Sequence, residues 1–166
     1  MMTSIVAAVV AATAIGPVPR GAPDPCRLLT AAEITASLGS PPSDPKSDGP
    51  VVDEELGRKA WSCNQRVGKF LLFLNVIEVG SAAAAVRGFD EMLNVARDGS
   101  ADVKFTAAPG LGDRAVWSAT DDSIMWVTVK GKYLLNVTLA GDVTDPPRFR
   151  EPLKRLAATA LGRLTP

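Results

Sequence analysis

The sequence predicts an α+β fold, a single antiparallel sheet of about five or six strands with helices packed on it. Two hairpins carry this prediction, because strands that are joined by tight turns pair in antiparallel fashion. They are expected across Gly68–Lys69 and across residues 130–132. Helical patterns before, between and after the hairpins give the element order α-β-β-α-β-β-β-α, and 166 residues suit one domain.

Charge and composition exclude several classes of function. The chain has 18 Lys+Arg, 18 Asp+Glu and no histidine. A net charge of zero argues against a dedicated nucleic-acid binder, which needs a surplus of cations to neutralise phosphates. Without histidine there is no imidazole base, no Ser–His or Cys–His pair and no His metal ligand. We therefore expect no metal site and no cofactor.

The first residues are typical of a signal peptide. Residues 5–15 form an apolar run of 11 residues that Gly16 and Pro17 end. A membrane-spanning helix needs about 20 residues. The run therefore suits the hydrophobic region of an export signal, with a cleavage site at Ala12-Thr13-Ala14. The alternative is a buried N-terminal helix or strand of a cytosolic protein.

Export defines the expected domain organisation. Residues 1–14 are predicted to be a signal peptide, 15–25 a linker and 26–166 the single α+β domain. The mature chain then has no spanning segment and is secreted or lies at the extracytoplasmic face of the cell envelope. Pro23-Asp24-Pro25 before Cys26 does not match a lipoprotein signal, so we expect no lipid on this cysteine.

The prediction of export also bears on the two cysteines, Cys26 and Cys63. Cysteines of an exported chain usually pair, and we expect a disulfide between them. The alternative is two buried free thiols in a reducing compartment. The chain has no CxxC motif for redox chemistry, and two cysteines without histidine do not make a zinc site.

In the first half of the chain, Thr30 and Glu33 form a capping box for a helix over residues 28–38, which Gly39 ends. Residues 40–57 are rich in Pro, Asp, Ser and Gly and are predicted to be a loop. Strands are expected over 58–67 and 69–79. The second strand is apolar on both faces, which predicts a central strand that is covered on both sides.

In the second half, Ser81 caps a helix that is expected to end near Asp98. A final helix is expected over residues 148–163, with Pro152 in its first turn, where a missing N–H is tolerated. Between these helices, alternating patterns predict strands over residues 102–107, 113–119, 123–129 and 133–140.

Few residues suggest chemistry, and each has a structural alternative. Gly110-Leu111-Gly112 is expected to be a tight turn rather than an anion cradle, because no helix start or Lys-Ser/Thr pair follows. No catalytic residue stands out. Three tryptophans are candidates for lining a ligand pocket, or else belong to the core. They are Trp61, Trp117 and Trp126. Basic residues of the last helix are candidates for contacting an acidic partner, or else form a solvated face. They are Arg148, Arg150, Lys154 and Arg155.

Several motifs together resemble a family of small actinobacterial cell-envelope proteins with a DPC-x-LLT start, a second cysteine and a GLGD-x-A loop. They correspond here to residues 24–30, Glu33, Leu38-Gly39, Cys63, residues 110–115 and Trp117. The resemblance spans residues 24–163. It implies a secreted or membrane-tethered protein, a disulfide between the two cysteines and a fold similar to the Mog1/PsbP group. It implies no catalytic residues, because the family's activity is largely unassigned.

These observations predict an exported, non-enzymatic binding module of the cell envelope. Its expected partner is an envelope small molecule, apolar or amphiphilic, or a protein, and not a nucleic acid. One alternative is a hydrolase that uses carboxylates, for which Asp113, Asp121 and Asp122 are the best candidates. Another is a protein–protein interaction or regulatory domain, which would expose an apolar patch.

Overall fold

A computed structural model describes residues 23–99, 103–141 and 143–164. The predicted signal peptide and most of the predicted linker lie outside these ranges. Within these ranges, three α-helices and seven strands follow a short 3₁₀ turn at Pro25–Arg27. The helices are α1 (Ala31–Leu38), α2 (Ala82–Gly99) and α3 (Pro146–Arg163), and the strands are β1 (Pro42–Asp53), β2 (Arg58–Val67), β3 (Phe70–Val79), β4 (Thr106–Ala107), β5 (Arg114–Ala119), β6 (Ser123–Lys130) and β7 (Tyr133–Ala140).

The strands form one antiparallel sheet in the order β1-β2-β3-β7-β6-β5-β4. The predicted α+β class and both predicted hairpins are confirmed. The strand count is seven rather than five or six, and the element order is α-β-β-β-α-β-β-β-β-α. Strand β1, which precedes the first predicted hairpin, was not predicted, and the short β4 falls within the strand expected over residues 102–107.

The prediction of a loop over residues 40–57 was wrong, because most of this segment is strand β1. Its composition is that of a loop, and it forms a strand only by pairing with β2 at the edge of the sheet. The pairing is irregular, with register shifts between Ser43 and Lys46 and between Asp48 and Val51. Such interruptions and exposed charges are common in edge strands.

Helices cover the two faces of the sheet unequally. On one face, α1 and α3 pack over a core that includes Ile34, Leu74 and Trp126. On the other face, α2 is the only helix among the described residues, and it packs through Phe89 and Leu93. Five apolar residues, four along α3 and one at its C-cap, are buried on the face that α1 and α3 cover. They are Phe149, Leu153, Leu156, Ala160 and Leu164.

The prediction that Pro152 lies in the first turn of α3 was wrong, because Pro152 is the seventh residue of the helix. The helix begins earlier than expected, at Pro146, and two other prolines occupy its first turn. A proline at position 152 has no N–H for the carbonyl of Arg148, so α3 lacks one helical hydrogen bond there.

Strand β3 is covered on both sides over only part of its length. Ile77 and Val79, near its end, pack beneath α2. Leu71, near its start, is 39% exposed, and Phe73 and Asn75 are half-buried on the same face. The expected double cover therefore holds only where α2 crosses the sheet, and the sheet beyond it faces solvent.

The N-terminal segment is held against the sheet by a covalent bond and two caps. Cys26 and Cys63 form a disulfide with a Cα–Cα distance of 5.1 Å, which confirms the predicted pairing. The capping box is also confirmed, since Thr30 Oγ1 accepts from the Glu33 amide and Glu33 Oε2 accepts from the Thr30 amide. Gly39 ends α1 in the left-handed conformation, at φ 79°.

The 110–112 segment is a tight turn, as predicted. Gly112 has φ 66°, and a Cβ there would collide with the carbonyl of Val129 and the hydroxyl of Thr128. Next to it, Asp113 donates its amide to the Val129 carbonyl (2.7 Å) and accepts from the Gly131 amide (2.8 Å). The turn therefore joins β5 to the β6–β7 hairpin.

Candidate functional site

A groove opens between α2 and the sheet, at the end of the sheet that α2 covers. Its volume is about 300 Å³, at the lower end of the range for small-molecule sites. Ile77, Val79 and Leu134 form the floor, on neighbouring strands in which Ile77 lies opposite Leu134. Ala84, Gly88 and Met92 form the wall, four residues apart and therefore on one side of α2.

Space for the groove exists because residue 88 has no side chain. A Cβ built at Gly88 meets no atom within 4 Å. The neighbouring stripe of α2, which contains Ala85, Phe89 and Leu93, is buried against the sheet and anchors the helix. The wall stripe beside it, at Ala84, Gly88 and Met92, therefore overhangs the floor without filling it.

Strand β5 fixes α2 from its other side. Arg114 Nη1 donates a hydrogen bond to Asp90 Oδ2 at 2.8 Å, and Arg114 Nη2 lies 2.8 Å from Asp90 Oδ1 in the same ion pair. Its guanidinium also lies 5.0 Å from the ring centroid of Phe89. These contacts fix the orientation of α2 about its own axis, and thereby the direction in which the groove wall faces.

The rim of the groove is charged and partly apolar. Arg58, Arg87 and Glu91 line it, and Arg58 is paired with Asp53 at 3.0 Å. Leu56 also lines it, from the turn between β1 and β2. The end of this hairpin is unusually apolar for a surface: the exposed fractions are 69% for Val51, 52% for Val52 and 59% for Leu56.

Two further depressions flank the 110–112 turn, with volumes of about 370 and 360 Å³. Residues 107–116 and Phe89 line the first. The second is lined by the turn, Lys130 and the end of α3. The first depression also has apolar lining residues, such as Phe89 and Val116, but both depressions are more open to solvent than the groove, which is enclosed by apolar side chains from two strands and a helix. The groove is the better site for an apolar ligand.

Two of the three candidate tryptophans lie together with two of the four candidate cations, on the opposite face of the sheet from the groove. Trp117 and Trp126 stack with ring centroids 6.4 Å apart and an interplanar angle of 28°. The guanidinium of Arg150 lies 4.7 Å from the Trp117 centroid, and Lys154 Nζ lies 5.8 Å from that of Trp126. These are cation–π distances.

The remaining candidates lie elsewhere. Trp61 is 7% exposed and shares a face with Cys63, while Arg148 lies over the ring of Phe149 at 5.6 Å. Arg155 is exposed. Trp126 is 1% exposed, so its ring already packs in the core. A ligand at the tryptophans and an acidic partner at the α3 cations remain predictions from the sequence.

The three candidate carboxylates do not form a pair. All three are exposed. Asp113 precedes β5, and Asp121 and Asp122 follow it, so roughly 20 Å of strand separates them. Asp113 accepts from Gly131, and Asp122 accepts from the Thr120 hydroxyl at 2.7 Å. This arrangement lacks the two facing carboxyl groups that glycoside hydrolysis uses.

Within the described ranges, no group of three or more carboxylate or cysteine side chains is arranged to hold a metal ion. None of the helices described is both long enough and apolar enough to cross a membrane.

Comparison with known proteins gives a fold relationship. No protein-family model matches the chain, and no curated protein matches it significantly. A solved structure with a similar fold is the extracellular domain of PknH from Mycobacterium tuberculosis, with a TM-score of 0.55 and 10% sequence identity. The similarity covers 81% of this chain and 91% of that domain, and at this identity it concerns the fold alone.

Proposed function

We propose that this protein is an exported, non-enzymatic binding module of the cell envelope, and that the groove beside α2 holds the apolar part of its ligand. The groove carries the proposal: it is a cleft between sheet and helix with six apolar lining residues and a charged rim. They are Ile77, Val79, Ala84, Gly88, Met92 and Leu134. Ligand sites of this kind are mostly apolar, with a few polar groups that set orientation.

Two observations support export. The Cys26–Cys63 disulfide is of a kind that persists in oxidising compartments and is rare in the cytosol. The fold is shared with a domain that is extracellular in PknH. Together with the motifs at residues 24–30 and 110–115, they favour membership in the actinobacterial envelope family and a position outside the cytoplasmic membrane, without a lipid on Cys26.

The size of the groove limits what it can bind alone. Burial contributes roughly 0.8 kcal/mol per methylene, so an eight-carbon chain gains roughly 6 kcal/mol. Association itself costs roughly 4–15 kcal/mol in lost freedom of motion. A chain in the groove therefore binds weakly by itself, and a tight ligand needs contacts beyond it.

The test is a substitution that fills the groove. Gly88→Leu places a side chain in open space on a helix, where leucine is also a better helix former than glycine. Titration of the mature protein with 1-octanol, followed by amide resonances, should shift groove residues such as Ile77, Met92 and Leu134 saturably. Gly88→Leu should abolish these shifts.

Gly162→Leu is the matched control, because Gly162 is an exposed residue of α3 whose added Cβ also meets no atom within 4 Å. This variant should bind 1-octanol as the unaltered chain does. Absence of saturable shifts at the groove in the unaltered chain, or their persistence in Gly88→Leu, would contradict the proposal.

A second candidate function is protein docking, favoured by the apolar end of the β1–β2 hairpin at Val51, Val52 and Leu56. It predicts that replacing all three by serine removes a cross-linked protein partner in the native envelope. Gly88→Leu would leave that partner in place. If the hairpin variant retains every cross-link, this second function is wrong.

A further inference from the structure

Beyond the groove, the same face of the sheet becomes polar. Asn64 on β2, Phe73 and Asn75 on β3, and Asn136 and Thr138 on β7 are half-buried there. We call these five residues the amide platform. They lie on three neighbouring strands at the centre of the sheet, where side chains of this polarity are otherwise disfavoured.

The register makes the platform contiguous. Asn75 lies directly opposite Asn136, and Phe73 lies opposite Thr138 on one side and Asn64 on the other. Directly opposite side chains have Cβ atoms about 4.5–5.5 Å apart, so the five side chains form one surface.

The platform also continues the floor of the groove. Ile77 follows Asn75 by two residues on β3, and Leu134 precedes Asn136 by two residues on β7. Residues two apart on a strand share a face and lie about 7 Å apart. A single ligand can therefore contact the apolar floor and the amide platform at once.

Carboxamides and hydroxyls both donate and accept hydrogen bonds, and they carry no charge. Thr138 donates to Asn136 Oδ1 at 2.7 Å, which fixes that amide and leaves its N–H groups available as donors. Within the described part of the chain, the side chains of Asn64 and Asn75 make no hydrogen bonds.

Two cations border the platform at its Asn64 edge: Lys46 lies directly opposite Asn64 on β1, and the exposed Arg66 lies two residues further along β2. The central pair, Asn75 and Asn136, has uncharged residues across from it on both sides, Ser62 on β2 and Val127 on β6.

From this pattern we propose that the ligand is an amphiphile with an uncharged, hydroxyl-rich headgroup, the chemistry of a glycolipid. The inference rests on the proposed function, because the chain of the ligand occupies the groove. Its sugar lies on the amide platform, where the carboxamides exchange hydrogen bonds with ring hydroxyls. The ring of Phe73 packs against the apolar C–H face of the sugar. A site built to hydrogen-bond hydroxyls discriminates strongly against ligands that lack them.

Four probes with one eight-carbon chain separate headgroup recognition from chain binding. They are octyl glucoside, octyl sulfate, octyltrimethylammonium and 1-octanol, each below its micelle concentration, titrated calorimetrically against the mature chain. We expect octyl glucoside to bind at least tenfold more tightly than the other three. Equal affinity for all four would overturn the headgroup inference and leave the groove proposal standing. Preference for the sulfate or the ammonium would also overturn it, and no binding of any probe would overturn both proposals.

Variants of the platform locate the recognition. Asn75→Leu and Asn136→Leu keep a similar side-chain volume and remove the amide. Each should lower the affinity for octyl glucoside at least fivefold and leave the affinity for 1-octanol unchanged, which also shows that the variant is folded. Asn94→Leu, at an exposed position of α2, is the matched control and should change neither affinity. Unchanged glucoside affinity in both platform variants would contradict the inference.

Discussion

Arg163, in the last turn of α3, donates hydrogen bonds to both carboxylate oxygens of Glu33 in α1, at distances of 2.8 and 2.6 Å. It also donates to the carbonyl of Leu28 at 2.7 Å. The same Glu33 carboxylate closes the capping box of α1. One ion pair thus joins the first and last helices on one face of the sheet, across 130 residues of sequence.

This pair predicts a specific acid sensitivity. Hydrogen bonds from Arg163, and to a lesser extent from Thr30, lower the pKa of Glu33 from 4.5 to about 2. A lowered pKa in the folded state means that the pair contributes its full stabilisation above about pH 4.5. This contribution is lost as pH falls from there towards 2. Urea midpoints measured between pH 7 and 2 should therefore fall more steeply for the unaltered chain than for Glu33→Gln.

Salt provides the control for that experiment. Both side chains are partly exposed, 40% for Arg163 and 32% for Glu33, so added salt should weaken the pair. The difference in acid sensitivity between the unaltered chain and Glu33→Gln should shrink with salt. Identical pH profiles at low ionic strength would show that the pair contributes nothing.

Reduction of the disulfide should destabilise the fold substantially. Cys26 and Cys63 are 37 residues apart in sequence, and closing a loop of that length is worth about 4 kcal/mol in the chain-entropy account. Chemical denaturation with and without a reductant should show a loss of this order. The Cys26→Ala/Cys63→Ala variant should be equally unstable and insensitive to the reductant. A sensitive double variant would show that the reductant acts elsewhere.

The 110–112 turn offers a comparison between two glycines with the same backbone region but different surroundings. Gly110 has φ 86° and open space around its Cβ position, whereas a Cβ at Gly112 collides with the Val129 carbonyl. Gly110→Ala should cost about 1–2 kcal/mol, from the left-handed conformation alone. Gly112→Ala should cost clearly more, measured by thermal unfolding. Equal losses would mean that the turn yields to the added methyl group.

Tryptophan fluorescence distinguishes the groove from the tryptophans as the ligand site. Trp61, Trp117 and Trp126 all lie on the face that α1 and α3 cover, opposite the groove. Saturation with octyl glucoside should therefore leave the emission maximum unchanged. A shift that is removed by Trp117→Phe would place the ligand at the stacked pair Trp117 and Trp126, in agreement with the sequence-based hypothesis that the tryptophans line a ligand pocket.

Local signals in the sequence were sufficient for the elements that are stabilised locally. The capping box at Thr30 and Glu33 was identified correctly, although α1 begins at Ala31 and not at residue 28 as predicted. Ser81 indicated the start of α2, where its hydroxyl accepts from the Ala84 amide. The two hairpins were predicted from the residues of their turns. Strand β1 could not be predicted, because its backbone is extended only through pairing with β2, and nothing in its composition indicates that pairing.

The candidate site was the least predictable feature, because it depends on how α2 lies across the sheet. The spacing of Ala84, Gly88 and Met92 places them on one side of a helix, but the sequence does not say that this side overhangs Ile77 and Leu134. Asn136 and Thr138 are polar positions in an otherwise apolar strand, and this much is visible in the sequence. Only the register of β7 against β3 places Asn136 opposite Asn75 and thus builds a surface.

The most direct test of the account is native mass spectrometry on protein purified from the envelope and culture fluid of its own host, compared between the unaltered chain and Gly88→Leu. We predict that the unaltered chain carries a discrete additional mass that denaturation releases, and that Gly88→Leu carries none. An unaltered chain free of added mass, or the same added mass on both proteins, would contradict a ligand in the groove.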